Sequence, residues 1–229
     1  MATIENNLQA VRARIAAACA ACGRNAAEVG LVAVSKTFGA GSVREALLAG
    51  QQAFGENYVQ EAVAKIQAIA DPAIIWHFIG PIQSNKTRAI AENFQWVHSI
   101  EREKIARRLS DARPAHLPPL DVCIEVNVSG EASKSGVPPG EAGSLARAVA
   151  AMPRLRLRGL MAIPEPSPEH ELVRQRFRLL RELLDRLNRE GYSLDTLSMG
   201  MSADLEAAIA EGATLVRVGT AIFGERKTS

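Results

Sequence analysis

Leu31-Val32-Ala33-Val34-Ser35 is a short, valine-rich apolar run, and a helical pattern follows it before the next apolar run begins. The same alternation continues along the chain, which is typical of parallel β/α architectures. The eight predicted strands are Leu31–Ser35, Gln52–Phe54, Ile74–Ile79, Trp96–Ile100, Val122–Val128, Leu157–Ile163, Thr196–Met199 and Leu215–Val218.

Two arrangements of eight such units compete, a closed barrel and an open doubly wound sheet. The chain has 229 residues, and a (β/α)₈ barrel usually needs about 250. No Gly-x-Gly-x-x-Gly follows the first strand, so the main signature of an open dinucleotide-binding sheet is missing. We therefore predict one α/β domain over residues 1–229, a TIM barrel over 31–224 with a helix, Leu8–Cys22 within residues 1–23, packed outside it.

The composition is that of a water-soluble globular protein. Hydrophobic residues make up 47% and charged residues 23%, with a formal net charge of +2, so neither disorder nor nucleic-acid binding is expected. No run approaches the roughly 18 apolar residues of a membrane helix. Three cysteines cannot build a disulfide framework, and the first nine residues lack a basic region before an apolar run. We expect a cytoplasmic protein.

Lys36 directly follows the first predicted strand. In a barrel the active site lies at the carboxyl ends of the strands, and the period of two places Lys36 on the same face as Val32 and Val34. A lysine that points into this mouth can act as an amine nucleophile and form a Schiff base with a carbonyl. The alternative is a lysine whose ammonium group reaches solvent at a strand end.

The last strand ends in Arg217-Val218-Gly219-Thr220, which predicts a tight turn into a short helix. Backbone N–H groups at such a turn, together with the Thr220 hydroxyl, form an anion site of the kind that barrels place after strands 7 and 8. Ser198 and the backbone near Met199 are candidate donors from strand 7. An ordinary helix cap is the alternative.

A Schiff-base lysine beside a phosphate site indicates a sugar phosphate or pyridoxal phosphate. Arg217 lies on the strand before the turn, where it could reach a pyridine nitrogen. Because arginine stays protonated, it would donate to that nitrogen and leave the ring a weaker electron sink.

Other polar signals indicate structure rather than chemistry. His77 and His98 lie on consecutive predicted strands without metal-ligand spacing, so we expect core or rim histidines and no metal site. The arginines of the helix Glu171–Arg189 are predicted to form a solvated outer face.

Seven short motifs, in this order, resemble the pyridoxal phosphate homeostasis proteins, and the resemblance runs from Leu31 to Gly224. The motifs are Val34-Ser35-Lys36-Thr37, Phe54-Gly55-Glu56-Asn57-Tyr58, Trp76-His77-Phe78-Ile79-Gly80, Gln83-Ser84-Asn85-Lys86, Gly159-Leu160-Met161-Ala162, Ser198-Met199-Gly200-Met201-Ser202 and Arg217-Val218-Gly219-Thr220.

The resemblance implies the barrel of the alanine racemase N-terminal domain (fold type III of the pyridoxal phosphate proteins) and pyridoxal phosphate as the cofactor. It implies these cofactor-binding residues: Lys36 as the Schiff-base lysine, Arg217 at the pyridine nitrogen, Asn57 beside the cofactor, and Ser198, Met199, Gly219 and Thr220 around the phosphate. Many members have a lysine where this chain has Phe38. Lys134 matches a family lysine and is a candidate secondary contact.

The resemblance also implies a role in vitamin B6 and amino-acid homeostasis without catalytic turnover. We expect no β-domain like that of alanine racemase. In alanine racemase that domain contributes one of the acid–base groups that racemisation needs, so we expect this group to be missing here. We expect a monomer that passes the cofactor to apo-enzymes. Two alternatives stay open: a pyridoxal-phosphate-dependent racemase or lyase, and a Schiff-base aldolase of a sugar phosphate.

Overall fold

The computed structural model describes residues 3–131 and 135–225, and its eight strands form one closed barrel in chain order. The predicted (β/α)₈ barrel is confirmed. The strands are Gly30–Val34 (β1), Ala53–Glu56 (β2), Ile75–Phe78 (β3), Trp96–Ile100 (β4), Leu120–Glu125 (β5), Leu155–Met161 (β6), Thr196–Ser198 (β7) and Leu215–Val218 (β8).

Pairing of β1 with β8 closes the barrel, and it is parallel, like every other strand pair. The register runs from Gly30 opposite Leu215 to Ala33 opposite Val218. Because all strands run in the same direction, the residues that follow them meet at one rim. This closure brings the region after Val34 next to the region after Val218.

The predicted strand positions are correct, but some strand ends differ by a few residues. The fifth predicted strand continues to Val128, whereas β5 ends at Glu125. Val126 and Val128 are buried, yet Val126 forms only an isolated bridge with Val137. The apolar pattern therefore runs past the last hydrogen-bonded residue of the strand. The predicted strand is too long because a sequence pattern indicates which residues are buried and not which ones form ladder hydrogen bonds.

Helices surround the barrel, and the predicted N-terminal helix is present. The described helices are Ile4–Ala21 (α1), Ala40–Leu48 (α2), Val59–Ile69 (α3), Thr87–Asn93 (α4), Glu103–Ala112 (α5), Ala142–Ala150 (α6), His170–Arg189 (α7), Leu205–Ala210 (α8) and Thr220–Phe223 (α9).

Helix α1 packs on the outside of the barrel where the chain closes. Leu8, Val11 and Ile15 are buried at helical spacing, and Asn7 donates to the carbonyl of Ile222 in α9 at 2.8 Å. The helix begins earlier than predicted because the Thr3 side chain caps it, accepting a hydrogen bond from the Asn6 N–H.

The arginines of α7 differ from their prediction as a purely solvated face. Arg174, Arg178 and Arg181 all bond the carboxylate of Glu211, which is only 2% exposed. Three partly exposed guanidinium groups therefore neutralise one buried carboxylate and join α7 to the end of α8. Helical periodicity alone does not reveal a partner that is distant in sequence.

Two findings apply to the described part of the chain only. No helix within it is both long enough and apolar enough to cross a membrane. It holds no group of histidine, cysteine and acidic residues suited to a metal ion. The predicted secondary contact Lys134 lies outside the described residues.

We predict that Gly159→Ala destabilises the seam between β6 and β7. A Cβ atom at this position would lie 1.8 Å from the carbonyl oxygen of Thr196, and backbone cannot give way as a flexible side chain can. The expected loss is about 3 kcal/mol or more, measured as the shift in urea-unfolding free energy. Gly41→Ala is the control, because this exposed helical glycine has open space around it, and the substitution should stabilise by about 0.5–1 kcal/mol. Equal stability of both variants would contradict the close approach.

Candidate functional site

A cavity of about 250 Å³ opens at the rim where β1 and β8 meet. It is near the lower end of the size range of small-molecule sites, about 300–1,000 Å³, which suits a compact ligand. Its lining residues are Val34, Lys36, Phe38, Met201, Ser202, Ala203, Arg217, Gly219 and Thr220.

Lys36 reaches this cavity from the turn that follows β1. Val34, Lys36 and Phe38 are spaced two apart and all line the cavity. Lys36 itself is half-buried. β1 ends at Val34, and the turn that follows, closed by a hydrogen bond from the Phe38 N–H to the Ser35 carbonyl, places the Lys36 side chain at the mouth of the barrel.

Arg217 approaches the cavity from β8 and is 3% exposed. Its Nη1 donates to Ser198 Oγ at 2.6 Å, and its Nη2 donates to the carbonyl of Ala162 at 3.0 Å. Burial lowers the pKa of Arg217 to about 10, so the guanidinium group remains charged at neutral pH. Of its five N–H groups, these two bonds use two and leave others for a ligand.

Two histidines continue the hydrogen bonding of Arg217 through the barrel interior. Ser198 Oγ lies 2.7 Å from Nδ1 of His98, and Nε2 of His98 lies 2.9 Å from Nδ1 of His77. Arginine only donates, so Ser198 Oγ accepts from Arg217. The Ser198 hydroxyl and the two imidazoles extend this chain of hydrogen bonds, and the direction of the two histidine bonds depends on the tautomers.

Both imidazoles are neutral. Burial lowers the pKa of His77 to about 3. Burial, followed by the influence of His77 and Arg217, lowers the pKa of His98 well below its usual range. The histidines meet inside the barrel, as residues of a polar core, and among the described residues they belong to no group of three or more potential metal ligands.

Gly219 and Thr220 form the cavity wall at the start of α9. A Cβ atom on Gly219 would lie 3.1 Å from the carbonyl oxygen of Val34, so glycine lets the β8 turn pack against β1. The N–H groups of Ile222 and Phe223 donate to the carbonyl of Gly219, so the N–H groups that this turn can offer to a ligand are those before Ile222. Lys36 and Arg217 line the cavity, and no carboxylate does so among the described residues. This charge distribution favours an anionic ligand.

The β7 side of the cavity is formed by Met201, Ser202 and Ala203 rather than by the predicted Ser198 and Met199. Ser198 is fully buried against Arg217, and Met199 is fully buried in the core. The chain turns at Gly200, which has a φ of +95° and where a Cβ atom would lie 2.6 Å from that of Ala208. Sequence reasoning on strand ends did not select Ser202, although the Ser198–Ser202 motif included it.

Asn57 follows β2, outside the cavity lining. Its Oδ1 atom is buried and lacks a hydrogen-bond partner in the structure, which makes it an available acceptor at the rim. Its backbone packs tightly on Gly80, where a Cβ atom would lie 2.3 Å from the carbonyl oxygen of Asn57. The motif glycine Gly80 is therefore required by this contact.

Phe38 gives the cavity an aromatic wall. Its ring stacks in a tilted geometry on Phe223 of α9, with ring centroids 5.2 Å apart. The position that is a lysine in many homeostasis proteins therefore contributes an apolar contact between the β1 turn and α9 in this chain.

The structure is a parallel barrel with a lysine, an arginine and the turn that begins α9 at its mouth. The family model of the alanine racemase N-terminal domain matches residues 6–227.

Relatives specify the class further. The pyridoxal phosphate homeostasis protein of Pseudomonas aeruginosa is 63% identical over 99% of this chain and 97% of its own length, and that of Escherichia coli is 54% identical over 100% and 99%. A solved structure of PipY from Synechococcus elongatus, described as having PLP bound, is 33% identical with a TM-score of 0.84, covering 97% of this chain and 100% of PipY. The chain therefore belongs to the alanine racemase N-terminal domain family and, within it, to the pyridoxal phosphate homeostasis proteins.

We predict that Ser198→Ala destabilises the barrel more than a comparable buried serine does. The substitution removes the acceptor of a buried guanidinium N–H and the hydrogen-bond partner of His98, and a lost bond to a charged group costs about 1.5–3 kcal/mol. The control is Ser99→Ala, whose hydroxyl makes one bond, to the carbonyl of Gly80, with an expected cost of about 1 kcal/mol. Urea unfolding measures both. Equal losses would show that the Arg217 bond contributes little.

We predict opposite changes in the pH dependence of stability for His77→Phe and Glu125→Gln. Burial lowers the pKa of His77 from 6.5 to about 3. The contribution of His77 to folding stability is therefore fully present above pH 6.5 and is lost as the pH falls. Burial, followed by Glu101, raises the pKa of Glu125 from 4.5 to about 7, so its contribution is full below pH 4.5 and lost as the pH rises. Between about pH 5 and 6.5, stability should therefore rise less steeply with pH in His77→Phe and more steeply in Glu125→Gln than in the parent protein.

Urea-unfolding free energies at several pH values test this prediction. Parallel curves for all three proteins would contradict the assigned pKa shifts.

Proposed function

We propose that this protein binds pyridoxal 5′-phosphate in the cavity at the β1–β8 rim and holds it as a Schiff base on Lys36. It would serve in vitamin B6 and amino-acid homeostasis as a carrier, without catalytic turnover. The observation that carries the proposal is the cavity lining, which contains Lys36 and Arg217 and, among the described residues, no carboxylate. The PLP reported in the PipY structure and the names of the relatives support it.

The residues present fit this cofactor. The first turn of α9 at Gly219 and Thr220 offers N–H groups and a hydroxyl to a phosphate. Ser202 adds a second hydroxyl from the β7 loop. The buried Oδ1 of Asn57, which has no hydrogen-bond partner, is an acceptor beside the mouth. Ser198 would act through Arg217, since its hydroxyl is occupied there.

When bound, pyridoxal phosphate supplies an aldehyde that condenses with a primary amine. Lys36 provides that amine from the cavity wall. Arg217 can only donate hydrogen bonds, so at the pyridine nitrogen it would keep that nitrogen unprotonated. A ring without that proton withdraws electrons weakly, which disfavours broad carbanion chemistry.

The cavity lining also supports a carrier rather than a racemase. Racemisation needs groups that take and return a proton on both faces of the reacting carbon. Among the described residues, the cavity lining contains no histidine, tyrosine, cysteine or carboxylate that could act as a second proton-transfer group opposite Lys36. We further propose a cytoplasmic monomer that passes its cofactor to apo-enzymes.

We predict that the purified parent protein is yellow after incubation with pyridoxal phosphate and that Lys36→Ala is colourless. Borohydride should fix one pyridoxyl phosphate group on Lys36, as located by peptide mass spectrometry. The control is Lys104→Ala, an exposed lysine on α5, which should behave like the parent protein.

Three outcomes would contradict the proposal. A pyridoxyl phosphate group found on another lysine would show that the Schiff base does not form on Lys36. Racemisation of alanine by the loaded protein would contradict the absence of turnover. Trapping by borohydride only after a sugar phosphate is added would favour the aldolase alternative.

A further inference from the structure

A second lysine, Lys65 of α3, lies buried beside the turn that carries Lys36. It is 5% exposed, and its Nζ donates to the carbonyl of Ser35 at 2.7 Å, to Glu56 Oε1 at 2.7 Å and to Glu61 Oε1 at 2.6 Å. A protonated amine has three N–H donors, so these bonds use all of them. Lys65 does not line the cavity, and its amine is committed to the protein.

The carboxylates of Glu56 and Glu61 connect Lys65 to the residues on both sides of Lys36. Ser35 Oγ donates to Glu56 Oε1 at 2.6 Å, and the Thr37 N–H donates to Glu61 Oε1 at 2.7 Å. The polar groups before and after Lys36 are therefore tied to the same ammonium group through one or two hydrogen bonds.

Glu56 depends on Lys65 for its charge. The side chain is fully buried, its Oε2 lacks a hydrogen-bond partner in the structure, and burial raises the pKa of Glu56 while Lys65 opposes that rise. Removal of the ammonium group would raise the pKa of Glu56 further.

The backbone at Thr37 shows that the turn is constrained. Its φ is +70°, and a β-branched residue in this region is a genuine outlier. Such a conformation costs about 1–3 kcal/mol and persists only where the surroundings hold it. The bond from the Thr37 N–H to Glu61 is a direct restraint of this kind.

We infer that Lys65 is a positioning residue for Lys36: together with Glu61 it fixes the Ser35–Thr37 turn and so the direction in which the Lys36 amine enters the cavity. The inference rests on the proposed function in one respect, that Lys36 is the amine that reacts. The groups assigned to the phosphate lie on the β7 and β8 side of the cavity, away from this restraint. Loss of Lys65 should therefore affect covalent attachment and spare the anion site.

The test is the kinetics of pyridoxal phosphate loading, separated into a saturable binding constant and a first-order covalent step. Lys65→Met and Glu61→Ala should lower the first-order constant at least about tenfold, as misplaced reacting groups do, and leave the saturation constant within about twofold. Glu61→Gln should retain most of the parent rate, because the amide oxygen still accepts from Thr37.

The matched control is Arg113→Met, which removes another buried cation bonded to backbone carbonyls, those of Ala91, Phe94 and Pro118. It should destabilise the fold and leave both loading constants unchanged. If Arg113→Met lowers the first-order constant as much as Lys65→Met does, the effect of Lys65 is a general structural one and the inference is overturned. A parent-like first-order constant in Lys65→Met would also overturn it.

Hydrogen exchange of the Thr37 amide in the cofactor-free protein separates this inference from the proposed function. Protection should be lost in Glu61→Ala and Lys65→Met and kept in Glu61→Gln. Unchanged protection in all variants would overturn the restraint. Absence of loading on Lys36 in the parent protein would refute the proposed function, while the amide exchange would still decide whether Lys65 holds the turn. Glu61, whose side chain is 31% exposed, provides the test if Lys65→Met does not fold.

Discussion

The guanidinium group of Arg217 carries a charge into the interior of a closed barrel, and much of the polar interior follows from that. Removing such a group from water costs several kcal/mol unless hydrogen bonds replace the solvent. Ser198 and the carbonyl of Ala162 supply acceptors. The Ser198 hydroxyl is in turn hydrogen-bonded to His98. The histidines must remain neutral beside a fixed cation, which burial ensures.

Barrel closure gives this charge its place at a site. It brings the strand that contains Arg217 beside the strand that precedes Lys36, so two cationic side chains from distant parts of the chain face one small cavity. The two positive charges repel each other, and separate contacts in the protein hold Lys36 and Arg217 in place. Hydrogen bonds in the interior hold Arg217, and the buried Lys65–Glu61 contact fixes the turn before and after Lys36. An anionic ligand would relieve the repulsion between the two cations.

The two supports are structurally separate, which has a functional meaning. The loop after β7, β8 and the start of α9 form the part of the cavity proposed to hold a phosphate and a pyridine nitrogen, whereas residues of β1, β2 and α3 surround the turn that carries Lys36, the proposed reacting amine. A protein that accepts and releases a cofactor needs both a retained anion site and a reversible covalent contact. In this chain different secondary-structure elements determine the two.

The sequence by itself determined the eight strands and the closed barrel, and it selected Lys36, Arg217, Gly219 and Thr220, which line the rim cavity, because alternation and strand ends are local patterns. It could not locate strand ends precisely, as Val126 shows, because apolar residues remain buried beyond the hydrogen-bonded ladder. Only the tertiary structure showed that Ser198 binds Arg217 inside the barrel while Ser202 lines the cavity, since the two serines lie on either side of Gly200, whose φ is +95°. It alone joined Lys65 to Ser35 and Glu211 to three arginines. Such contacts link residues far apart in sequence, and no periodic pattern records which buried charge will meet which partner.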